Sequence, residues 1–222
     1  KARELIEAHP SMDVVGNRVA RAADTDTVEE LEKKAHRAIS EGYRADQKAA
    51  ESASERLVDA DHVVTVSRSG TVAATLERFD GSVAVAESLP GGEGIGFAEE
   101  VDGGTVVPDA CVPDAVRGTD AVVVGADSVL PDGTAVNKVG SLAAALAAGR
   151  FGVPFLVVAS VDKVSPDDEV RNEYLEYNGE RVPVFEEVPA DLIELVTEDG
   201  VMGSDEVREH ADEHARRRGA LG

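Results

Sequence analysis

Short polar segments follow the valine-rich runs of this chain, and they hold the side chains that could do chemistry. Ser67, Arg68, Ser69 and Gly70 come directly after the run His62–Val66. Hydroxyl groups and an arginine at the start of a helix suit a phosphate group, because the first backbone N–H groups of a helix lack partners inside it. An ordinary helix cap with a tight turn produces the same pattern, so the sequence leaves both interpretations open.

A carboxylate, Asp127, follows the next such run, Ala121–Val124. A carboxyl group at the end of a buried strand can act as a general acid or base, because burial and neighbouring charges change its pKa. Aspartate in a turn or helix cap is the commoner use of this residue. Asp127 is therefore a candidate catalytic residue with a structural alternative.

Lysine is rare in this chain, which has six lysines among 22 basic residues. Asn137 and Lys138 stand before a predicted helix, and Lys163 follows a predicted strand. Each lysine could bind an anionic group or be an ordinary surface charge. Glu87 follows the second predicted strand in the same way and is a further binding candidate.

The single cysteine and the five histidines indicate little chemistry. Cys111 falls in a predicted first helical turn, where a thiol pKa is lowered. A small buried side chain is the commoner role for such a residue. His210 and His214 are four residues apart, but no third ligand accompanies them. We expect neither a metal nor an organic cofactor.

The charge balance excludes several classes of partner. The 222 residues include 44 Asp and Glu against 22 Lys and Arg, a net charge of −22. Such a chain is unsuited to direct contact with nucleic acid or an anionic membrane. No apolar run approaches the ~20 residues of a spanning helix, and we expect a cytoplasmic protein. Such acidity can indicate disorder, but a hydrophobic content of 42% favours a folded protein with a salt-adapted surface.

Continuous apolar strands that alternate with helices predict an α/β fold. We expect a Rossmann-like parallel sheet with helices on both faces, preceded by a small helical region. The predicted strands are 62–66, 82–86, 105–108, 121–124 and 154–159, and the predicted helices between them are 71–79, 95–101, 109–117 and 139–149. The glycine-rich segment 91–94 reads as a flexible connection. The predicted divisions are a helical N-terminal region (1–57), the sheet domain (58–203) and a polar helical C-terminal tail (204–222).

The N-terminal region carries a helix start signal. Thr27 is the predicted N-cap, with Glu30 three residues later as its capping-box partner. We expect this helix to run to about Gly42, with a second helix over 44–58.

The block 122–140, VVVGADSVLPDGTAVNKVG, resembles a motif of one known family. That family joins the alpha, beta and delta subunits of translation initiation factor 2B with two isomerases, which act on methylthioribose-1-phosphate and ribose-1,5-bisphosphate. The segments that add to the resemblance are 65–72, 87–90, 152–158, 183–186 and 191–198. The resemblance covers roughly residues 58–202 and implies a helical region followed by a Rossmann-like domain.

The resemblance also implies roles for single residues. The isomerases use a cysteine after the first strand together with the aspartate of a Gly-Ala-Asp motif. The aspartate is present as Asp127, whereas Ser67 stands at the cysteine position and Leu89 at an arginine position. The segment 14–17 departs from the isomerases' glycine-rich loop. Asn137, Lys138 and Lys163 match polar positions on the substrate side.

These observations favour a regulatory or assembly protein like the initiation factor 2B subunits, without catalytic activity. We expect it to keep part of a pocket for a phosphorylated sugar or nucleotide, and to form a homodimer or a higher oligomer. The alternative is an active aldose–ketose isomerase that uses Asp127, with Ser67 or Cys111 in place of the missing thiol. The candidate catalytic residues are Asp127 and Ser67, and the candidate binding residues are Arg68, Ser69, Gly70, Glu87, Asn137, Lys138 and Lys163.

Overall fold

A computed structural model describes residues 2–23, 25 and 27–220. In this part of the chain, seven strands form one sheet. They are β1 His62–Val66, β2 Ser82–Ala86, β3 Gly104–Val107, β4 Ala121–Val124, β7 Phe155–Val158, β11 Glu194–Thr197 and β12 Gly200–Met202. Their order in the sheet is β12-β11-β7-β4-β1-β2-β3. Neighbouring strands are parallel except for β11 and β12, which are antiparallel.

The helices lie on both faces of this sheet, which confirms the predicted fold class. Their bounds are α1 Ala2–Ala8, α2 Asp13–Ala23, α3 Val28–Arg56, α4 Gly70–Leu76, α5 Glu93–Glu100, α6 Val112–Val116, α7 Ser141–Phe151 and α8 Ser204–Gly219. One core layer packs the sheet against α3, α4 and α5, with Phe97 fully buried in it. The other packs the sheet against α6, α7 and α8.

The central strands form because their side chains are apolar on both faces. All four residues of β4 and all four of β7 are buried. A strand covered on both sides needs no alternation of polar and apolar residues. The valine runs therefore identified the middle of the sheet correctly.

The long helix α3 is continuous, so the predicted interruption after Gly42 is wrong. Thr27 does cap it, since its hydroxyl accepts a hydrogen bond from the backbone N–H of Glu30 at 3.2 Å. Gly42 is buried inside the helix, and the guanidinium group of Arg18 occupies the space where a Cβ would lie. The glycine thus makes room for a helix–helix contact and does not end the helix.

Two smaller β structures were not predicted from the sequence. One is an antiparallel sheet of β5 Ser128–Val129, β6 Ala135–Lys138 and β10 Phe185–Val188. The other is a hairpin of β8 Tyr174–Tyr177 and β9 Glu180–Pro183. Strand β6 carries Asn137 and Lys138, so the small sheet positions two of the candidate binding residues.

None of the described helices combines the length and the apolar character that crossing a bilayer requires.

Candidate functional site

A cavity of about 400 Å³ opens at the carboxyl ends of β1 and β4. The chain leaves β1 toward β2 on one side and later returns to β4 on the other, so this is the point where the strand order reverses. Ligands of open α/β sheets bind at such points, and the volume suits a small molecule. The residues that line it are Val66, Ser67, Arg68, Ser69, Gly70, Glu93, Gly125, Ala126, Asp127, Asn137, Lys138, Lys163, Val184 and Phe185.

Ser67 directly follows β1, and it lines the cavity. Its φ of 66° lies in the left-handed region, which is uncommon for a residue with a side chain. The backbone N–H of Ser67 donates to Ser88 Oγ at 2.8 Å, and its own hydroxyl donates to Glu93 Oε1 at 2.8 Å. The hydroxyl at the expected cysteine position is therefore already engaged with a carboxylate.

Lys138 is a buried cation on β6, with 3% of the residue exposed. Its Nζ lies 2.8 Å from Glu93 Oε1, the same oxygen that accepts the Ser67 hydroxyl. Burial alone would disfavour a charged Glu93, but hydrogen bonds from Lys138, the backbone and Ser67 outweigh it and lower the pKa of Glu93. Glu93 is therefore ionised at neutral pH.

Asp127 and Lys163 form the second charged part of the cavity. Burial raises the pKa of Asp127, and the positive charge of Lys163 opposes that shift. Burial lowers the pKa of Lys163, which Asp127 opposes in turn. The Lys163 ammonium also donates to the carbonyl oxygen of Ala126. The charges of Asp127 and Lys163 thus each limit the pKa shift of the other. A carboxyl group with a raised pKa, such as that of Asp127, suits proton transfer.

Asn137 and Ser69 serve the local structure as well as the lining. Asn137 Nδ2 donates to Ser141 Oγ at 2.8 Å, which ties β6 to the first turn of α7. Ser69 is the N-cap of α4, where its hydroxyl accepts from the N–H of Val72 at 3.4 Å. Gly125 comes so close to Ser69 that a Cβ would collide with the serine side chain.

Three candidates have less contact with the cavity. Arg68 lies at its edge, and its Nη2 pairs with the exposed Glu100 at 2.9 Å. Glu87 is outside the lining, and its carboxylate accepts from the backbone N–H of Asp109 at 3.4 Å. Cys111 is exposed in the turn Asp109–Cys111, so the expectation of a buried thiol is wrong, and it too is outside the lining.

Glu93 lines the cavity but was not among the candidates predicted from the sequence. The glycine-rich segment 91–94 was predicted to be a flexible connection, but α5 already begins at Glu93 within it. The loop just before this segment is held by the Asp109 carboxylate, which accepts from the backbone N–H groups of Ser88 and Leu89, both at 2.8 Å. At Gly91 a Cβ would fall against the Glu93 carboxylate. The glycines therefore allow Glu93 to reach back into the cavity.

A buried polar cluster behind Lys163 was also missed. The Asp162 carboxylate accepts from Arg18 Nε at 2.8 Å and from Arg21 Nη1 and Nη2 at 2.8 and 3.0 Å. Asn17 Nδ2 donates to the carbonyl oxygens of Asp162 and Val164, both at 2.8 Å. These contacts fix the turn Val161–Lys163 from the side of α2, and thereby position Lys163.

The C-terminal helix completes this cluster. His214 Nδ1 lies 2.9 Å from the Val164 carbonyl oxygen, and burial lowers the pKa of the ring. Arg218 Nε donates to Asn17 Oδ1 at 2.9 Å. His214 is therefore a structural residue. Among the described residues, no group of histidine, cysteine and acidic side chains is placed to hold a metal ion.

Solved structures similar to this chain include translation initiation factor eIF-2B of Pyrococcus horikoshii OT3. The TM-score is 0.81 at 25% identity, over 90% of this chain and 79% of that one. The tetrameric eIF2B-beta2-delta2 complex of C. thermophilum gives a TM-score of 0.69 at 21% identity, over 96% of this chain and 78% of that chain, which is a likeness of fold.

Curated relatives carry isomerase names. Methylthioribose-1-phosphate isomerase of Stutzerimonas stutzeri strain A1501 is 38% identical over 105 residues, 39% of this chain and 29% of the relative. Ribose 1,5-bisphosphate isomerase of Archaeoglobus fulgidus is 34% identical over 115 residues, 44% and 37% of the two chains. These matches span about a third of each relative's length. A family model described as the initiation factor 2 subunit family matches residues 1–204. The expected resemblance is thus confirmed, and this chain belongs to the initiation factor 2 subunit family.

Proposed function

We propose that this chain is a non-catalytic regulatory or assembly protein whose strand-end cavity binds a phosphorylated sugar or nucleotide. The observation that carries the proposal is the state of Ser67. Its hydroxyl stands where the isomerases of the family are expected to have a thiol, and it donates to the ionised Glu93. A thiol titrates near pH 8.5, whereas a serine hydroxyl does not titrate in that range and makes a poor general acid.

The lining of the cavity supports binding of a phosphorylated ligand. Lys138, Lys163 and Asn137 converge there from β6 and from the turn after β7. Two of the relatives are named for reactions of phosphorylated sugars. An ammonium group forms a charge-assisted hydrogen bond with a phosphate oxygen, which is roughly twice as strong as a neutral one.

The test is a direct assay in molar salt. Purified protein is incubated with ribose-1,5-bisphosphate and with methylthioribose-1-phosphate, and the ketose product is measured. We expect no product. Product that Asp127→Asn abolishes, and that Glu99→Gln at an exposed position outside the lining leaves unchanged, would contradict the non-catalytic proposal.

Binding is tested separately by thermal shift against sugar phosphates and adenosine monophosphate. A ligand that binds only the folded state raises the melting temperature by mass action. We expect a rise with at least one phosphorylated ligand. Indifference to all of them at millimolar concentration would leave a purely structural role and contradict the proposed pocket.

A second candidate, the aldose–ketose isomerase, is favoured by the environment of Asp127. Burial raises its pKa while Lys163 and Lys138 oppose the shift, which is the arrangement expected of a proton-transferring carboxyl group. Ser67 is the partner that the cavity offers. Cys111 is not a substitute for the thiol, because it lies exposed outside the lining.

For assembly, we propose a cytoplasmic homodimer or higher oligomer that makes no direct contact with nucleic acid. The similar C. thermophilum structure is described as a tetrameric complex, and the hairpin β8–β9 exposes Tyr174, Leu175 and Tyr177. The charge of −22 supports a salt-adapted surface. Light scattering across a series of salt concentrations tests the oligomeric state and its dependence on salt. A monomer under all conditions would contradict the proposed assembly.

A further inference from the structure

Every cation in the described lining of the cavity already has a partner within the protein. Lys138 pairs with Glu93 at 2.8 Å, and Arg68 pairs with Glu100 at the edge. Lys163 donates to a carbonyl oxygen and lies within reach of the Asp127 charge. A phosphate group that enters the cavity must therefore compete with groups of the protein itself.

Lys138 is the cation for which this competition is most direct. Its side chain is 4% exposed, and the partner Glu93 is 32% exposed. The Lys138 side chain is almost completely buried, whereas the Glu93 side chain is partly in contact with solvent and has room to rotate toward it. The hydroxyl of Ser67 bonds to the same carboxylate oxygen, so displacement of Glu93 frees an ammonium and a hydroxyl together.

The backbone around Glu93 keeps this carboxylate in place without a ligand. Asp109 holds the preceding loop through Ser88 and Leu89, and Gly91 leaves room for the carboxylate. Glu93 is the first residue of α5, where the helix dipole favours a negative charge. Displacement is therefore a side-chain movement that needs no rearrangement of the loop.

We propose that Glu93 is the specificity gate of the cavity, an internal carboxylate at the anion-binding position of Lys138 that a phosphate monoester must displace. This inference rests on the proposed function, since it concerns the phosphorylated ligand of the same site. Neutral sugars do not need Lys138 and bind without displacing Glu93. The gate lowers the affinity for every phosphorylated ligand by the free energy of the Glu93–Lys138 pair.

The test compares ligand affinities by isothermal titration calorimetry at pH 7.5 in molar KCl. The probes are ribose 5-phosphate and, as a neutral control, ribose. Salt at 1 M reduces the Debye length to about 3 Å and removes the general effect of the acidic surface, while the contact between Glu93 and Lys138 persists. Glu93→Gln keeps the shape of the side chain and removes its charge. We expect it to bind ribose 5-phosphate on the order of tenfold more tightly, equal to about 1.4 kcal/mol.

Glu99→Gln is the matched control, because Glu99 is an exposed residue of the same helix outside the lining. It should leave both affinities within twofold. The double variant Glu93→Gln with Lys138→Met should lose the gain. Glu93→Ala repeats the test without the side-chain amide that Glu93→Gln introduces. The melting temperature of each variant without ligand verifies that the variant is folded.

The outcomes separate the inference from the proposed function. If the unmodified protein binds ribose 5-phosphate and Glu93→Gln does not tighten it, the gate is refuted and the phosphate-binding proposal stands. An equal increase in affinity for ribose also refutes the gate, since the substitution then acts through the shape of the cavity and not through the charge of Glu93. If neither the unmodified protein nor the two Glu93 variants bind ribose 5-phosphate, the gate is refuted, and the thermal-shift series with the other phosphorylated ligands decides the proposed function. Tighter binding confined to the phosphorylated probe supports the gate.

Discussion

Substitution of Asp162 by Asn should strongly destabilise the protein, because Asp162 is the counter-ion of two arginines. Its side chain is 6% exposed, and Arg18 and Arg21 are 25% and 29% exposed. Removal of one partner from a buried ion pair costs about 3–5 kcal/mol. The asparagine keeps one acceptor oxygen, and the arginines regain some water. The free energy of unfolding should therefore fall by about 2–3 kcal/mol, at or just below the lower limit of that range.

The measurement is urea denaturation at pH 7.5, supported by thermal melts. A loss of this size lowers the melting temperature by about 4–12 °C in a chain of this length. Asp114→Asn is the matched control, since its ion pair with Arg117 at 3.3 Å is largely exposed. That variant should stay within about 0.5 kcal/mol of the unmodified protein. A loss below about 1 kcal/mol for Asp162→Asn would refute the assignment of a buried counter-ion.

The pH dependence gives a second test of the same residue. Burial alone would raise the pKa of Asp162, but the hydrogen bonds from Arg21 and Arg18 outweigh it and lower the pKa. A lowered folded-state pKa means that the stabilisation is complete above the unfolded value of about 3.9 and is lost as the pH falls through the folded value. The difference in the free energy of unfolding between the unmodified protein and Asp162→Asn should therefore be constant above about pH 5 and become smaller below about pH 4. A gap that widens on acidification would contradict this assignment.

Three further substitutions have definite expected outcomes. Asp127→Asn should raise the free energy of unfolding at pH 7.5 relative to the unmodified protein. Its folded pKa is raised, so the carboxyl weakens the fold as the pH rises through that value, and the gain should vanish at pH 3–4 in the same urea assay. Asn17→Ala should lower the free energy of unfolding by about 2–3 kcal/mol, because the carbonyl oxygens of Asp162 and Val164 lose a buried hydrogen-bond donor. A loss below about 1 kcal/mol would contradict a stabilising role for the Asn17 amide. Gly140→Ala should lower the free energy of unfolding by about 1–3 kcal/mol, because Gly140 has a φ of 104° that disfavours a side chain. Gly118→Ala is the control and should cause no such loss, since its added Cβ meets open space. Equal losses of stability for the two variants in thermal melts would contradict the argument from φ.

The valine runs made the sheet and the position of the cavity predictable. The predicted bounds 62–66, 82–86 and 121–124 are those of β1, β2 and β4. Since ligands bind where parallel strands end, Ser67 and Asp127 could be placed at one edge of the sheet from these runs alone. The family resemblance matched Lys138 and Lys163 to polar positions on the substrate side, but their convergence on one cavity could not be predicted. Strand β6, which carries Lys138, belongs to a separate small sheet that no simple periodicity in the sequence indicates.

Glu93 and the Asp162 cluster could not be predicted, because tertiary contacts create them. Glu93 follows two glycines, and a glycine-rich segment without a recognisable spacing reads as a connection. Its role depends on Lys138, 45 positions further along the chain. Asp162 finds its arginines about 140 residues earlier in sequence. Local sequence patterns do not report which distant charges a turn will meet.

The docking of α8 against α2 also sets the order in which the protein can be completed during synthesis. The hydrogen bond between Arg218 and Asn17 joins residues 201 positions apart. At about 5–20 residues per second, a ribosome needs roughly 10–40 s to make the intervening chain. The seven strands of the main sheet and the helices that precede α8 can assemble during this time, but His214 reaches Val164 only when α8 has emerged. The turn that carries Lys163 therefore acquires its full set of partners last, and a nascent chain can have a formed sheet and an unfinished cavity.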